Sequence, residues 1–412
     1  MSEYAAAKER YASIGVDTES ALSALESVSI SIHCWQGDDV GGFEGDGGSL
    51  GGGLAVTGNY PGKARTPDEL RQDLAAALSL IPGRHRLNLH AMYGEFGGEV
   101  DRNEIEPQHF DGWIDWCESM GLGFDFNPTC FSHPMAESGF TLSSQDEGTR
   151  QFWIEHCQRC RVIGDYAGKK LGTNCITNVW IPDGMKDTPA DRNVYRQTLE
   201  QSLDKVFADK YENNLDSVES KLFGIGSESY VVGSHEFYLG YAVSRGTMLT
   251  LDSGHYHPTE SVADKISACM QFVHEMLLHV SRGVHWDSDH VVTLNDDLLA
   301  IAREVVANGY LDRVHIGLDY FDASINRVAA WVVGTRNMLR ALLIALLEPT
   351  DKLRAMEGKG DYTSRLAMQE AQRSMPWGVV WDEHCSRQNV PNDLEWMTEV
   401  RRYELDVQSK RR

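Results

Sequence analysis

Four segments in the second half of the chain end an apolar run on carboxylates or imidazoles. Glu219 and Lys221 follow Val218, and Asp252 and His255 follow Leu249-Thr-Leu. His279 sits inside Leu277-Leu-His-Val, with Asp287 and Asp289 just beyond, and Asp319 and Asp322 follow Ile316-Gly-Leu. Each has an ordinary explanation by itself: a lysine beside a glutamate is commonly a surface couple, and a lone histidine in an apolar run is commonly a core residue. Together, so many carboxylates at successive strand ends would repel one another unless cations were present. Oxygen donors with a minority of imidazole suit Mg²⁺, Mn²⁺ or Co²⁺, with Zn²⁺ within their range, and do not suit thiolate-seeking metals. The donors suffice for two ions, which together can polarise a carbonyl, hold adjacent hydroxyls and activate water. Lys221 would add an ammonium near the same oxygen.

The elements that must position these groups follow from periodicity. Eight short β-like runs occur, at 28–35, 86–93, 122–128, 174–182, 218–224, 248–252, 278–286 and 313–319. Amphipathic helical patterns separate them, for example at 67–80, 108–120, 146–168, 191–211, 260–278 and 292–308. Strands alternating with helices make βαβ units and a parallel sheet, and eight such units predict an α/β fold closed as a (β/α)8 TIM barrel. The charged strand ends then meet at its C-terminal mouth, where barrels of this kind carry their chemistry. The expected organisation is an N-terminal helix over 1–26, a barrel over 27–325 and an extended C-terminal helical arm over 326–412 that serves oligomerisation. Residues 37–66, with Gly45-Asp-Gly-Gly48 and Gly51-Gly-Gly53, are too glycine-rich for a stable helix or strand and are expected to form a mobile lid over the mouth.

Trp35, Phe131 and Trp180 lie at or just past strand ends and are candidates for an apolar wall, with His33 and His90 alternating toward the same pocket. Cys157 and Cys160 form a Cys-x-x-Cys on a predicted helix, but no second pair follows at zinc-site spacing, so they read as core residues. The chain has 412 residues and a formal net charge of −23, which works against nucleic acid and anionic membrane surfaces and leaves a small neutral substrate or a chelated cation as the natural ligand. Eight scattered cysteines, no recognisable signal peptide and no run of about 18 apolar residues make the expectation a soluble cytoplasmic enzyme.

Several longer motifs are more specific. His33-Cys-Trp-Gln-Gly-Asp-Asp39, Thr57-Gly-Asn-Tyr-Pro-Gly-Lys63, Trp180-Ile-Pro-Asp-Gly-Met-Lys186 and Glu219-Ser-Lys-Leu-Phe-Gly224 closely resemble L-rhamnose isomerases. So do Trp286-Asp-Ser-Asp-His290, His315-Ile-Gly-Leu-Asp-Tyr-Phe-Asp-Ala-Ser-Ile-Asn326 and Gly334-Thr-Arg-Asn337. The resemblance implies a barrel related to xylose isomerase, a homotetramer, and interconversion of L-rhamnose and L-rhamnulose as the first step of rhamnose catabolism. It further implies a structural, substrate-anchoring metal site of Glu219, Asp252, His279 and Asp319, and a catalytic, manganese-preferring site of His255, Asp287 and Asp289. By the same resemblance Lys221 stands near the substrate O1, and Trp180 is an aromatic wall. Asp319 or a metal-bound hydroxide is the candidate base should the hydrogen move by an enediol route rather than the favoured hydride shift. Where family members carry a Glu-Asn-Pro-like segment, this chain has Glu44-Gly-Asp-Gly-Gly48, a departure that bears on the lid. The rival within enzymes is a two-metal barrel hydrolase, which the absence of a His-x-His at the first strand end and the presence of Lys221 disfavour; a silent sugar-binding barrel is disfavoured because Asp287, Asp289 and Lys221 are all present.

Overall fold

The computed structural model describes residues 2–44, 56–221, 229–284, 287–392 and 394–411, and all of their side chains except those of Asp287 and Ser288. Eight parallel strands close into a barrel: β1 Ile30–His33, β2 Arg86–His90, β3 Gly123–Asn127, β4 Cys175–Val179, β5 Asn214–Glu219, β6 Met248–Asp252, β7 Met276–Val280 and β8 Val314–Leu318. β8 closes the ring on β1 through Ile30↔Ile316 and Ser31↔Gly317. Two helices, α1 (Glu3–Ser13) and α2 (Thr18–Glu26), precede β1. One helix then follows each strand on the outside: α3 Pro67–Leu78, α4 Asp111–Met120, α5 Glu147–Leu171, α6 Arg192–Val206, α7 His235–Arg245, α8 Val262–Cys269, α9 Asp296–Ala307 and α10 Arg327–Leu346. Their starts are written locally. Thr66 accepts a hydrogen bond from the Glu69 N–H ahead of Pro67, and Asn295 accepts one from the Leu298 N–H, so orphan donors of α3 and α9 are satisfied.

Four sequence expectations need correction. The N-terminal segment is two helices, because Gly15 takes a left-handed φ of +84° and Asp17 starts a new helix as its cap. The helix beginning at 327 is not part of an extension: α10 is the eighth barrel helix, packed on α9, α2 and α3, and its Trp331 indole donates to the carbonyl of His33 at 2.8 Å. It is also long and apolar enough to cross a membrane, yet 78% of its apolar window is buried inside this fold. The chain beyond it forms α11 Thr350–Gly358, α12 Tyr362–Gln372, α13 Trp377–Arg387 and α14 Trp396–Asp406. The fifth strand ends at Glu219 rather than running to 224, so Lys221 lies past it and does not share a strand face with Glu219. The seventh strand ends at Val280, and Arg282–Val284 pairs instead with Asp287–His290 as a separate antiparallel hairpin. The central part of the expected lid, 45–55, falls outside the described residues. Its N-terminal root is anchored by Asp39, which accepts hydrogen bonds from Nε and Nη2 of Arg327 at 2.7 and 2.8 Å.

The barrel interior changes character from bottom to top. Ile176, Met248 and Leu277 pack with Leu215 near the N-terminal ends, beside a buried Arg86–Asp125 ion pair at 2.9 Å. One inward step higher come Asn178, Ser217 and Thr250, and then Glu219, Asp252 and His279. Strand register thus stacks an apolar floor beneath a polar ceiling.

Candidate metal centre

Register places the donors. Asp252 pairs with His279 across β6 and β7, His279 pairs with Gly317 across β7 and β8, and Glu219 pairs with Thr250, two residues before Asp252. A methyl at Gly317 would lie 3.2 Å from His279 Cδ2, so the missing side chain there makes room for the imidazole. Glu219, Asp252, His279 and Asp319 each offer a donor atom, and all four atoms lie within 4.8 Å of one another. His279 Nδ1 stands 3.2 Å from Glu219 Oε2 and 3.6 Å from Asp319 Oδ2. Among the described residues, neither ring nitrogen of this buried histidine has a hydrogen-bond partner. Three carboxylates and an orphaned imidazole at the top of a closed barrel are the donor set of a divalent cation, and the residues present fit one.

The charges register this crowding. Burial pushes the Asp252 carboxyl well above the usual range, and the neighbouring charge of Glu219 adds to it. Asp319 is raised to about 7, again by burial first. Burial disfavours the imidazolium of His279, but Glu219, Asp319 and Asp252 outweigh it and lift His279 to about 9. Burial likewise opposes ionisation of Glu219, yet His279, His255 and the Asn178 amide hold it below its ordinary value. The cluster therefore keeps protons where a metal would otherwise supply positive charge.

His255 approaches from the loop after β6. Its Nδ1 lies 2.9 Å from the Ser220 carbonyl, which assigns the proton to that nitrogen and leaves Nε2, 3.9 Å from Asp252 Oδ2, as the lone-pair side. His255 and Asp289 line the same cavity as Glu219, His279 and Asp319. Facing them are Trp35, Phe131, Trp180 and Phe321, with Val40 and His90 between. Trp35 also donates its indole N–H to Asp319 Oδ1 at 3.0 Å. The Phe131 ring packs edge-on against His90 and Trp180, and buried Arg102 fixes its loop by donating to the carbonyls of Thr129, Phe131 and Ser132.

A family model described as "L-rhamnose isomerase (RhaA)" matches residues 1–411. The L-rhamnose isomerase of Rhodopirellula baltica is 62% identical over 407 residues, spanning 98% of this chain and 95% of that one. That of Yersinia pseudotuberculosis is 59% identical, spanning 98% and 97%. The chain belongs to the L-rhamnose isomerase family. Among solved structures, an L-ribulose 3-epimerase aligns with a TM-score of 0.47 at 14% identity, covering 80% of this chain and 97% of that one.

Membership in the L-rhamnose isomerase family sets aside the hydrolase alternative and leaves an aldose–ketose isomerase with a metal centre. Of the residues singled out from sequence, the fold brings Glu219, Asp252, His279, Asp319, His255, Asp289, Trp35, His90, Phe131 and Trp180 to one mouth. The side chain of Asp287 lies outside the described residues; its backbone sits two positions before Asp289 on the hairpin strand. Lys221 is buried, donates to the Pro182 carbonyl at 2.8 Å and lies 5.6 Å from the ring centre of Trp180, which lines the cavity, while Lys221 itself is not among the lining residues. His33 is sealed between Trp35 and Tyr320. Sequence reasoning missed Asn178, Asn127, Val40 and Phe321 as lining residues. For Asn178 a signal existed: it lies two positions from Ile176 on a barrel strand and so shares its face.

Proposed function

We propose that this member of the family interconverts L-rhamnose and L-rhamnulose by moving a hydrogen between C2 and C1 of the open-chain sugar, with Mn²⁺ preferred over Mg²⁺, Co²⁺ or Zn²⁺. The observation that carries the reading is the convergence of four donors, three buried and Asp319 half-buried, beside an aromatic-walled cavity in a chain so similar to named L-rhamnose isomerases. Glu219, Asp252, His279 and Asp319 would hold one ion, and His255 and Asp289, with Asp287, a second. A bound divalent ion supplies Lewis-acid polarisation of the sugar's C1–C2 oxygens.

The chain's own residues do the rest. Trp35 holds Asp319 by its indole N–H, and the wall of Trp35, Phe131, Trp180 and Phe321 keeps water from the reacting carbons. A dry wall fits direct hydride movement, because a proton released into water would exchange. Lys221 brings a buried ammonium to the Trp180 side, where it stabilises charge developing on O1. In an enediol route, Asp319 would be the base. Solvent deuterium appearing at C1 of the ketose would exclude a pure hydride shift.

A homotetramer fits the long helical segment after α10: α12 has no buried residue, and Tyr362 and Leu366 stand exposed one turn apart. A cytoplasmic setting fits the eight buried, unpaired thiols. The test of function is ketose formation from L-rhamnose by chelator-stripped protein. Activity that returns only with added Mn²⁺ is expected; folded protein that turns over L-rhamnose with neither Mn²⁺ nor Co²⁺ would overturn the assignment.

A further inference from the structure

Beneath the donor cluster a single file of hydrogen bonds crosses three barrel strands. The Asn178 side chain on β4 contacts Glu219 Oε2 at 2.5 Å, Thr250 Oγ1 on β6 contacts Asn178 Oδ1 at 2.7 Å, and Ser217 Oγ on β5 contacts Thr250 Oγ1 at 2.6 Å. All four residues are buried. Chemistry fixes the direction of the file. An ionised carboxylate only accepts, so the amide NH₂ of Asn178 must face Glu219 and its carbonyl oxygen must face Thr250. The single hydroxyl proton of Thr250 is then committed to Asn178, so the Ser217 hydroxyl donates to Thr250. No member can reverse without placing two acceptors in contact.

The consequence falls on Glu219. Its Oε2 receives the Asn178 N–H while Oε1 stands 3.3 Å from His255 Nδ1, so the plane of the carboxylate is set from below. Glu219 is the donor that touches both histidines of the cluster, since His279 Nδ1 lies 3.2 Å from Oε2. A glutamate has three rotatable bonds, and the hydrogen bond from the Asn178 amide restricts the torsion of its carboxylate. We infer that Asn178, locked by Thr250 and Ser217, is a positioning residue that presents the Glu219 carboxylate to the metal. The inference rests on the metal-centre reading above. Its chemical content is narrow: Asn178 acts through Glu219 and not through the sugar, although it also borders the cavity.

The test is Mn²⁺ affinity measured by calorimetry on metal-stripped protein, for the wild type, Asn178→Ala, Thr250→Val, Glu219→Gln and the double variant Asn178→Ala/Glu219→Gln. Loss of a group that orients a ligand typically weakens metal binding by about 10–100-fold, and Asn178→Ala is expected in that range. Thr250→Val keeps the shape of the site and removes only the donor that locks the amide, so it should weaken Mn²⁺ in the same direction if Asn178→Ala proves too disruptive to fold. In the Glu219→Gln background, Asn178→Ala should add nothing, because the group it orients is gone. Additive losses would overturn the inference by assigning Asn178 a general structural role. An unchanged Mn²⁺ affinity with a raised KM for L-rhamnose would also overturn it, by making Asn178 a sugar contact. Failure of the metal-centre reading itself looks different: Glu219→Gln alone would then leave Mn²⁺ binding untouched.

Discussion

Metal binding at this site must expel protons. His279 is lifted to about 9, so at pH 7 the metal-free site holds its proton about 9 − 7 = 2 units below that value. At roughly 1.36 kcal/mol per unit, freeing the imidazole to ligate costs about 2.7 kcal/mol, or roughly 100-fold in apparent affinity relative to pH 9. Asp319, at about 7, contributes roughly half a proton more, and Asp252, raised by burial and Glu219, adds to the count. The sign follows directly: the cation competes with protons, so affinity rises with pH until His279 titrates. Calorimetric titration of stripped protein with Mn²⁺ at pH 7, in buffers of different ionisation enthalpy, reads the released protons from the slope of apparent enthalpy against buffer enthalpy. At least one proton per cluster is expected, with apparent affinity rising at least roughly tenfold per pH unit between 7 and 8. A zero slope, or affinity flat across that interval, would refute the reasoning.

The same groups set the stability of the metal-free protein. His279 and Asp319 bind protons more tightly folded than unfolded, so their contribution is present at low pH and is lost as pH rises, for Asp319 from its ordinary 3.8 to about 7 and for His279 from 6.5 to about 9. Thermal melts of stripped protein should therefore fall in Tm between pH 6.5 and 9, and Mn²⁺ should raise Tm most at the upper end; a Tm that climbs without metal would contradict the assignment. Gly317→Ala sets a methyl 3.2 Å from His279 Cδ2 and 3.4 Å from the Leu278 carbonyl, so the ring must shift within a closed interior. A loss of about 1–3 kcal/mol in urea unfolding together with weaker Mn²⁺ binding is expected, and retention of both would show that the ring has room to spare.

Much of this was legible because barrel strands expose their inward residues at a period of two and their ends at one mouth. Glu219, Asp252, His279 and Asp319 could be gathered as strand-end residues before any coordinates, and the family motifs divided the donors. Other features depended on facts that a linear pattern does not carry. The break of the N-terminal segment into α1 and α2 shows in the left-handed φ of Gly15, which the sequence pattern does not reveal. α10 looks like a spare apolar helix until its partners, α9, α2 and α3, show that it closes the barrel. Two-residue spacing alone would put Lys221 on the same strand face as Glu219, but the strand stops at Glu219 and the lysine follows its own path to the Pro182 carbonyl. The Trp35–Asp319 hydrogen bond joins residues 284 positions apart, and closure of β8 on β1 is what brings them together. The Asn178–Thr250–Ser217 file is similarly a product of strand order, three unremarkable polar residues made continuous by the register of β4, β5 and β6.

The claim that most needs direct proof is that the strand-end cluster is the metal centre of this isomerase. Anomalous scattering at the manganese edge from crystals of Mn²⁺-loaded protein answers it in one measurement. The account predicts a peak within ligating distance of Glu219, Asp252, His279 and Asp319; manganese bound elsewhere, with that cluster empty, would contradict it.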